Sequence, residues 1–133
     1  MSARITTLRL ALCVITGSLL ASTASYAETV LNAEEVSALI VGKTVNAHHL
    51  VKGHDFKVYF SPDGETAYRT TKKGVKETTY VIQEDGRHCI FLKGRDRCAK
   101  IINNGDGTYS RLNKSGEKKV LWKSFDQGNT IPK

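Results

Sequence analysis

The chain predicts an all-β fold: about eight antiparallel strands in an up-and-down barrel or closed meander, preceded by one short helix. Glycine-bearing turns at Gly53, Gly64, Gly74, Gly86, Gly94 and Gly116, with a looser one over Asn104-Gly105-Asp106-Gly107, cut residues 43–125 into short runs. Turns recur at roughly the 8–12-residue spacing of barrels and sandwiches. Within the runs the apolar period is 2: Phe56, Val58 and Phe60 alternate with Asp55, Lys57 and Tyr59, the pattern of a strand with one buried face. Ahead of them, Val36, Leu39 and Ile40 recur at helical spacing. A meander of eight strands can close on itself and so remove its edges.

Taken in order, residues 1–27 read as a secretory signal. Arg4 and Arg9 supply the positive start, Leu10 to Leu20 is mostly apolar, and Ser25-Tyr26-Ala27 places small residues where signal peptidase cuts. The apolar run is shorter than the about 20 residues a membrane span requires, so no transmembrane segment is read there. Cys13 follows Leu12 where a lipid-modified cysteine needs a small neighbour. The expectation is a periplasmic or secreted protein cleaved after Ala27, with residues 28–133 forming a single β-barrel-like domain.

Asn32-Ala33-Glu34-Glu35 is a capping signature and Gly42 suits a left-handed exit, which predicts a helix over 33–41. Strands are expected at about 43–51, 55–60, 65–71, 76–83, 87–92, 95–102, 108–113 and 118–125. Pro62-Asp63-Gly64 turns the chain, and Asp85-Gly86 and Lys93-Gly94 read as two-residue hairpin loops. Counting outward from these loops puts Tyr80, Ile82, Cys89, Phe91 and Cys98 on one face. Val81, Ile90, Leu92, Ala99 and Ile101 fall on the other, which is also apolar and needs a cover: the helix, or a second copy of the chain, so monomer or homodimer. The polar tail 126–133 reads as loose.

The same count brings Cys89 opposite Cys98, close enough to bridge, and an exported chain meets an oxidising environment. A disulfide is expected.

Charge supplies the functional signal. The exported part carries eighteen Lys and Arg against thirteen Asp and Glu, a balance that favours acidic partners. No helix-turn-helix, aromatic RNA-binding or zinc-finger pattern is present, so nucleic acid is not the expected partner. Successive turns of a meander fall at opposite ends. One end then collects Lys52, Lys72, Lys73, Lys76, Lys93, Arg95, Arg97, Lys114, Lys118 and Lys119, against Glu77, Asp96 and Glu117. The other collects Asp63, Glu65, Glu84, Asp85 and Asp106, against Arg87. The candidate anion-binding set is Lys72, Lys73, Lys76, Lys93, Arg95, Arg97, Lys114, Lys118 and Lys119.

Other chemistry is thinly supported. His49 and His54 fall on one sheet face and could share an ion, yet two ligands are fewer than zinc sites use. No catalytic residue is assigned: Ser61, Ser110, Ser115 and Ser124 lie outside any nucleophile-elbow motif, and the carboxylates sit in turns, where they bond locally. No cofactor is expected. Tyr80, Phe91, Tyr109 and Trp122 are read as core, since an eight-strand interior is only wide enough for side chains.

Leu31-Asn32-Ala33-Glu34-Glu35-Val36, Gly42-Lys43-Thr44-Val45, Val58-Tyr59-Phe60-Ser61-Pro62-Asp63-Gly64, Asp85-Gly86-Arg87-His88-Cys89 and Gly128-Asn129 together resemble a group of short exported proteobacterial proteins known as a domain of unknown function. The resemblance implies a periplasmic β-domain and no activity. Where that group has Gly-x-Trp before the first cysteine, this chain has Tyr80. The architecture is also similar to small periplasmic lysozyme inhibitors of the C type, whose Ser-Gly-x-x-Tyr motif has only a scrambled echo in Gly107-Thr108-Tyr109-Ser110.

The functional expectation is a non-enzymatic module binding an anionic envelope component or protein partner through its basic end. The alternatives are a carrier of a small apolar or haem-like ligand, needing His49 or His54 at the mouth, and a hydrolase inhibitor acting through a loop.

Overall fold

The structure, a computed structural model, describes residues 27–132, so the expected signal segment lies outside the described residues except for Ala27. One helix, α1 (Ala33–Ile40), and ten strands follow one another: β1 (Thr29–Val30), then after α1 β2 (Lys43–His49), β3 (His54–Phe60), β4 (Thr66–Thr71), β5 (Gly74–Ile82), β6 (His88–Leu92), β7 (Arg95–Ala99), β8 (Ile101–Asn103), β9 (Tyr109–Leu112) and β10 (Lys118–Gln127). All pair antiparallel in one curled half-barrel sheet of order β1-β8-β9-β10-β2-β3-β4-β5-β6-β7. Among the described residues no helix is long and apolar enough to cross a membrane.

The expectation of eight strands closed into a barrel is corrected to ten in a curled sheet whose hydrogen-bonded order ends at β1 and β7. The run expected at 95–102 splits at Lys100. Its first half pairs with β6, its second with β9, and the Lys100 carbonyl instead accepts from the Leu112 N–H at 3.0 Å. β1 then covers the free side of β8, Val30 opposite Ile102.

The core lies on the concave face, where Val45, Ala47, Phe56, Val58, Phe60, Tyr80, Ile90, Ile101, Val120 and Trp122 meet. Phe60, Tyr80, His88 and Trp122 pack ring against ring, with centroids 4.9–6.5 Å apart in tilted and edge-on arrangements suited to aromatic quadrupoles. Tyr109 is half-buried beside them, whereas Phe91, expected in the core, is 43% exposed.

That last difference traces to one residue of register. Asp85-Gly86 is not a two-residue loop: the Gly86 N–H donates to the Gln83 carbonyl, the Gln83 N–H to the Arg87 carbonyl, and a three-residue loop with Gly86 at φ 88° results. Tyr80 therefore faces Ile90 and Ile82 faces His88, and a one-residue slip exchanges the faces of a strand. Ile90, Ala99 and Ile101 join Tyr80 on the inside, and Val81, Cys89, Phe91 and Cys98 lie outside. The second apolar face is thereby reduced to an outer patch on which Val81 is 56% and Phe91 43% exposed, and α1 does not cover it. Gly86 is also the point where the chain ahead of α1 crosses: a Cβ there would lie 2.4 Å from the Leu31 carbonyl oxygen.

α1 accordingly plugs one end of the curl rather than covering its outside. Its capping box is complete, with the Glu35 N–H donating to Asn32 Oδ1 at 2.9 Å and the Asn32 N–H to Glu35 Oε1 at 3.3 Å. Val36 and Ile40 are fully buried in the core. Gly42, at φ 74°, ties the exit to β3 by donating to the Phe60 carbonyl. The tail read as loose is held down: Thr44 Oγ1 donates to the Gly128 carbonyl and accepts from the Thr130 N–H, and Ile131 is buried.

Lys93-Gly94 forms the expected two-residue loop, with φ of 53° and 78° as a type I′ turn demands. Cys89 pairs with Cys98 in register, and the two are disulfide-bonded.

Candidate anion-binding site

Antiparallel neighbours along the chain send alternate turns to opposite rims. Turns 50–53, 72–73, 93–94 and 113–117 share one rim; 61–65, 83–87 and 104–108 share the other, which α1 plugs. Of the expected anion-binding residues, Lys72, Lys73, Lys93 and Lys114 lie in the first set of turns. Lys118 and Lys119 open β10, and Lys118 is tied to Glu28 by an ion pair. Lys76, Arg95 and Arg97 stand opposite Arg69, Leu92 and Ile90, so they belong to the inner face. At the same rim Leu50 and Val51 are exposed apolar residues at the tip of the β2–β3 turn. Asp55 sits nearby on the outer face, where His48 Nδ1 lies 2.7 Å and Lys123 Nζ 3.0 Å from its Oδ1.

Three carboxylates of the opposite rim are committed to its turns. Asp63 accepts from the N–H groups of Glu65 and Thr66 and from the Thr66 hydroxyl; Asp85 accepts from Arg87 N–H and Nε; Asp106 accepts from Thr108 N–H and Oγ1. These bonds favour the ionised form and hold all three below the ordinary carboxylate range.

His49 and His54 are direct cross-strand partners on either side of the four-residue β2–β3 turn. Their rings stack with centroids 5.6 Å apart. His49 Nδ1 accepts from the Lys52 N–H at 3.1 Å, which occupies one nitrogen. Among the described residues no three His, Cys, Asp or Glu side chains gather where an ion could be held.

Two residues outside the expected set, Arg69 and Arg111, add positive charge behind the basic rim. Arg69 is opposite the buried Val58, and Arg111 is opposite the buried Val120 and Ile101, so both side chains belong to the concave face. Arg97 joins them from β7. Arg69 lies over the Phe56 ring, its guanidinium carbon 4.0 Å from the centroid, an attractive cation–π arrangement. Arg111 Nε donates to His88 Nδ1 at 3.3 Å, and its Nη2 donates to the carbonyls of His88, at 3.2 Å, and Arg97. Arg97 Nε is buried with no hydrogen-bond partner among the described residues. Among the described residues no carboxylate forms an ion pair with any of the three.

The electrostatics follow from that geometry. Loss of hydration on burial, with repulsion from Arg69 and Arg97, brings the Arg111 guanidinium down to about 10, still fully charged at neutral pH. Arg69 is lowered for the same first reason, with Arg97 adding repulsion. Burial and mutual repulsion thus both work against the charged state of Arg69 and Arg111. His88 is pushed well below its ordinary range, first by complete burial and then by Arg111. It is therefore neutral. Since its Nδ1 accepts from Arg111, its proton sits on Nε2, which lacks a partner inside the aromatic core.

The signal for Arg69 and Arg111 was present in the strand alternation. Ala67-x-Arg69 and Tyr109-x-Arg111 each place arginine one step along from an inward residue.

No family model, no curated protein and no solved structure matches the chain.

Proposed function

We propose that this protein is a non-enzymatic binding module, exported to the periplasm or beyond, that engages an anionic partner through the basic rim of its curled sheet. The observation that carries the reading is the unequal use of charge at the two rims. Asp63, Asp85 and Asp106 at the plugged rim bond within their own turns, whereas Lys72, Lys73, Lys93 and Lys114 form no ion pair among the described residues. Unpaired like charges on one rim repel each other and attract a polyanion over about a Debye length, roughly 8 Å at physiological salt.

Retention on immobilised heparin and on anionic vesicles tests this. The wild type should be retained and should elute as salt rises. Reversing Lys72, Lys73 and Lys93 to glutamate should abolish retention without unfolding, since exposed turn charges contribute little to stability. Reversing Glu34, Glu65 and Glu84 to lysine, at the plugged rim, should leave it intact. Equal loss in both variants, or loss in neither, sinks the reading.

A further inference from the structure

We propose that the inward-facing guanidinium groups of Arg69, Arg97 and Arg111 form a site for a phosphate group, free or carried on a monoester, that enters from the basic rim. This rests on the anion-binding reading of that rim and names the chemistry it recognises.

The three arginines come from β4, β7 and β9, of which no two are neighbours in the sheet, and each stands opposite a core residue on the concave face. A fold gains nothing by gathering three part-buried cations unless something pairs with them: charges taken out of water are ordinarily matched. Here no carboxylate does so among the described residues. The donors are already placed. Arg69 is held over the Phe56 ring, and Arg111 is fixed by three hydrogen bonds through Nε and Nη2. Arg97 carries a buried Nε with no acceptor among the described residues. Donors locked before the ligand arrives lose little freedom on binding.

Phosphate fits better than a carboxylate on charge and on shape. A carboxylate neutralises one of three cations. A phosphate monoester brings a charge of about −1.5 to −2 and three acceptor oxygens, which guanidinium forks meet in pairs. Lys76 and Arg95, on the same face nearer the rim, extend the positive path inward. His88 is a positioning residue: its neutral ring orients Arg111 and does not meet the ligand.

The test uses the exported chain, labelled with 15N and titrated with inorganic phosphate at constant ionic strength. Binding is read by calorimetry and by the arginine Nε–Hε resonances. A parallel arm uses phosphatidylcholine vesicles carrying either phosphatidic acid, a monoester, or an equal charge of phosphatidylglycerol, a diester. Resonances of Arg69, Arg97 and Arg111 should shift on saturation. Arg69→Met and Arg97→Met, which keep the aliphatic stem, should each weaken binding about tenfold or more while remaining folded. Lys72→Glu with Lys73→Glu should weaken it only a few-fold and in a salt-dependent way. Saturation by free phosphate identifies a soluble ligand; binding confined to phosphatidic acid vesicles, and lost in Arg97→Met, identifies a lipid phosphate. If the arginine resonances stay still in both arms, or Arg97→Met binds as tightly as wild type, the interior site is overturned. Retention on heparin surviving that result leaves the rim reading standing; its disappearance removes both.

Discussion

The two ends of the curled sheet use the same kinds of residue for opposite purposes. At the plugged end, Val36 and Ile40 fill the opening with apolar volume, and each of Asp63, Asp85 and Asp106 is consumed by the amides of its own turn. Charge there is structural, and removing it would loosen a turn. At the basic end, Lys72, Lys73, Lys93 and Lys114 lie in the turns and Arg69, Arg97 and Arg111 on the concave face, and among the described residues none of them forms an ion pair. Burial and mutual repulsion disfavour the charge that Arg69 and Arg111 carry there.

The largest effect should come from opening the seal. Ile40→Ala removes a fully buried side chain from the helix plug and should cost about 2–5 kcal/mol in urea denaturation, from lost transfer energy and the cavity left behind. A change below about 1 kcal/mol would mean that α1 is not the plug.

A smaller effect separates the ends by pH. His88 and His49 are both lowered by burial first, His88 further by Arg111 and His49 by Lys52 and other nearby cations. The unfolded chain therefore binds protons near pH 6.5 that the folded chain refuses. Their contribution to stability is full above about pH 6.5 and is lost as pH falls from there towards the lower folded values. Protonating His88 would also set an N–H against the Arg111 Nε–H. Denaturation midpoints measured at pH 7 and pH 5 should fall with acidification, and the fall should shrink in His88→Gln. A midpoint independent of pH would contradict a neutral, arginine-facing His88.

Much of this division was legible in the sequence, and the exceptions have physical causes. Turn glycines, the Asn32-to-Glu35 capping box and the Lys93-Gly94 hairpin are local signals, decided within a few residues, and the Cys89–Cys98 pairing followed from the last of them. Register at Gly86 was not legible, because two- and three-residue loops end on the same Asp-Gly pair. The break at Lys100 depends on partners distant in sequence, β6 on one side and β9 on the other. The rim lysines could be sorted by end from turn order alone. Arg69 and Arg111 were passed over because an arginine in a strand reads as solvent-facing until the register of its neighbours is known.

The most direct measurement concerns the cost of the open end. Arg69→Met with Arg97→Met removes two of three crowded cations while keeping their stems against the core, and urea denaturation in the absence of phosphate or other multivalent anions compares it with wild type. Replacing uncompensated buried charge by apolar volume is commonly neutral or stabilising. The double variant should be as stable as wild type or more stable, by about 1 kcal/mol. A loss exceeding about 1 kcal/mol would show that the arginines hold the fold together, and would contradict the view that they are kept there to meet an anion.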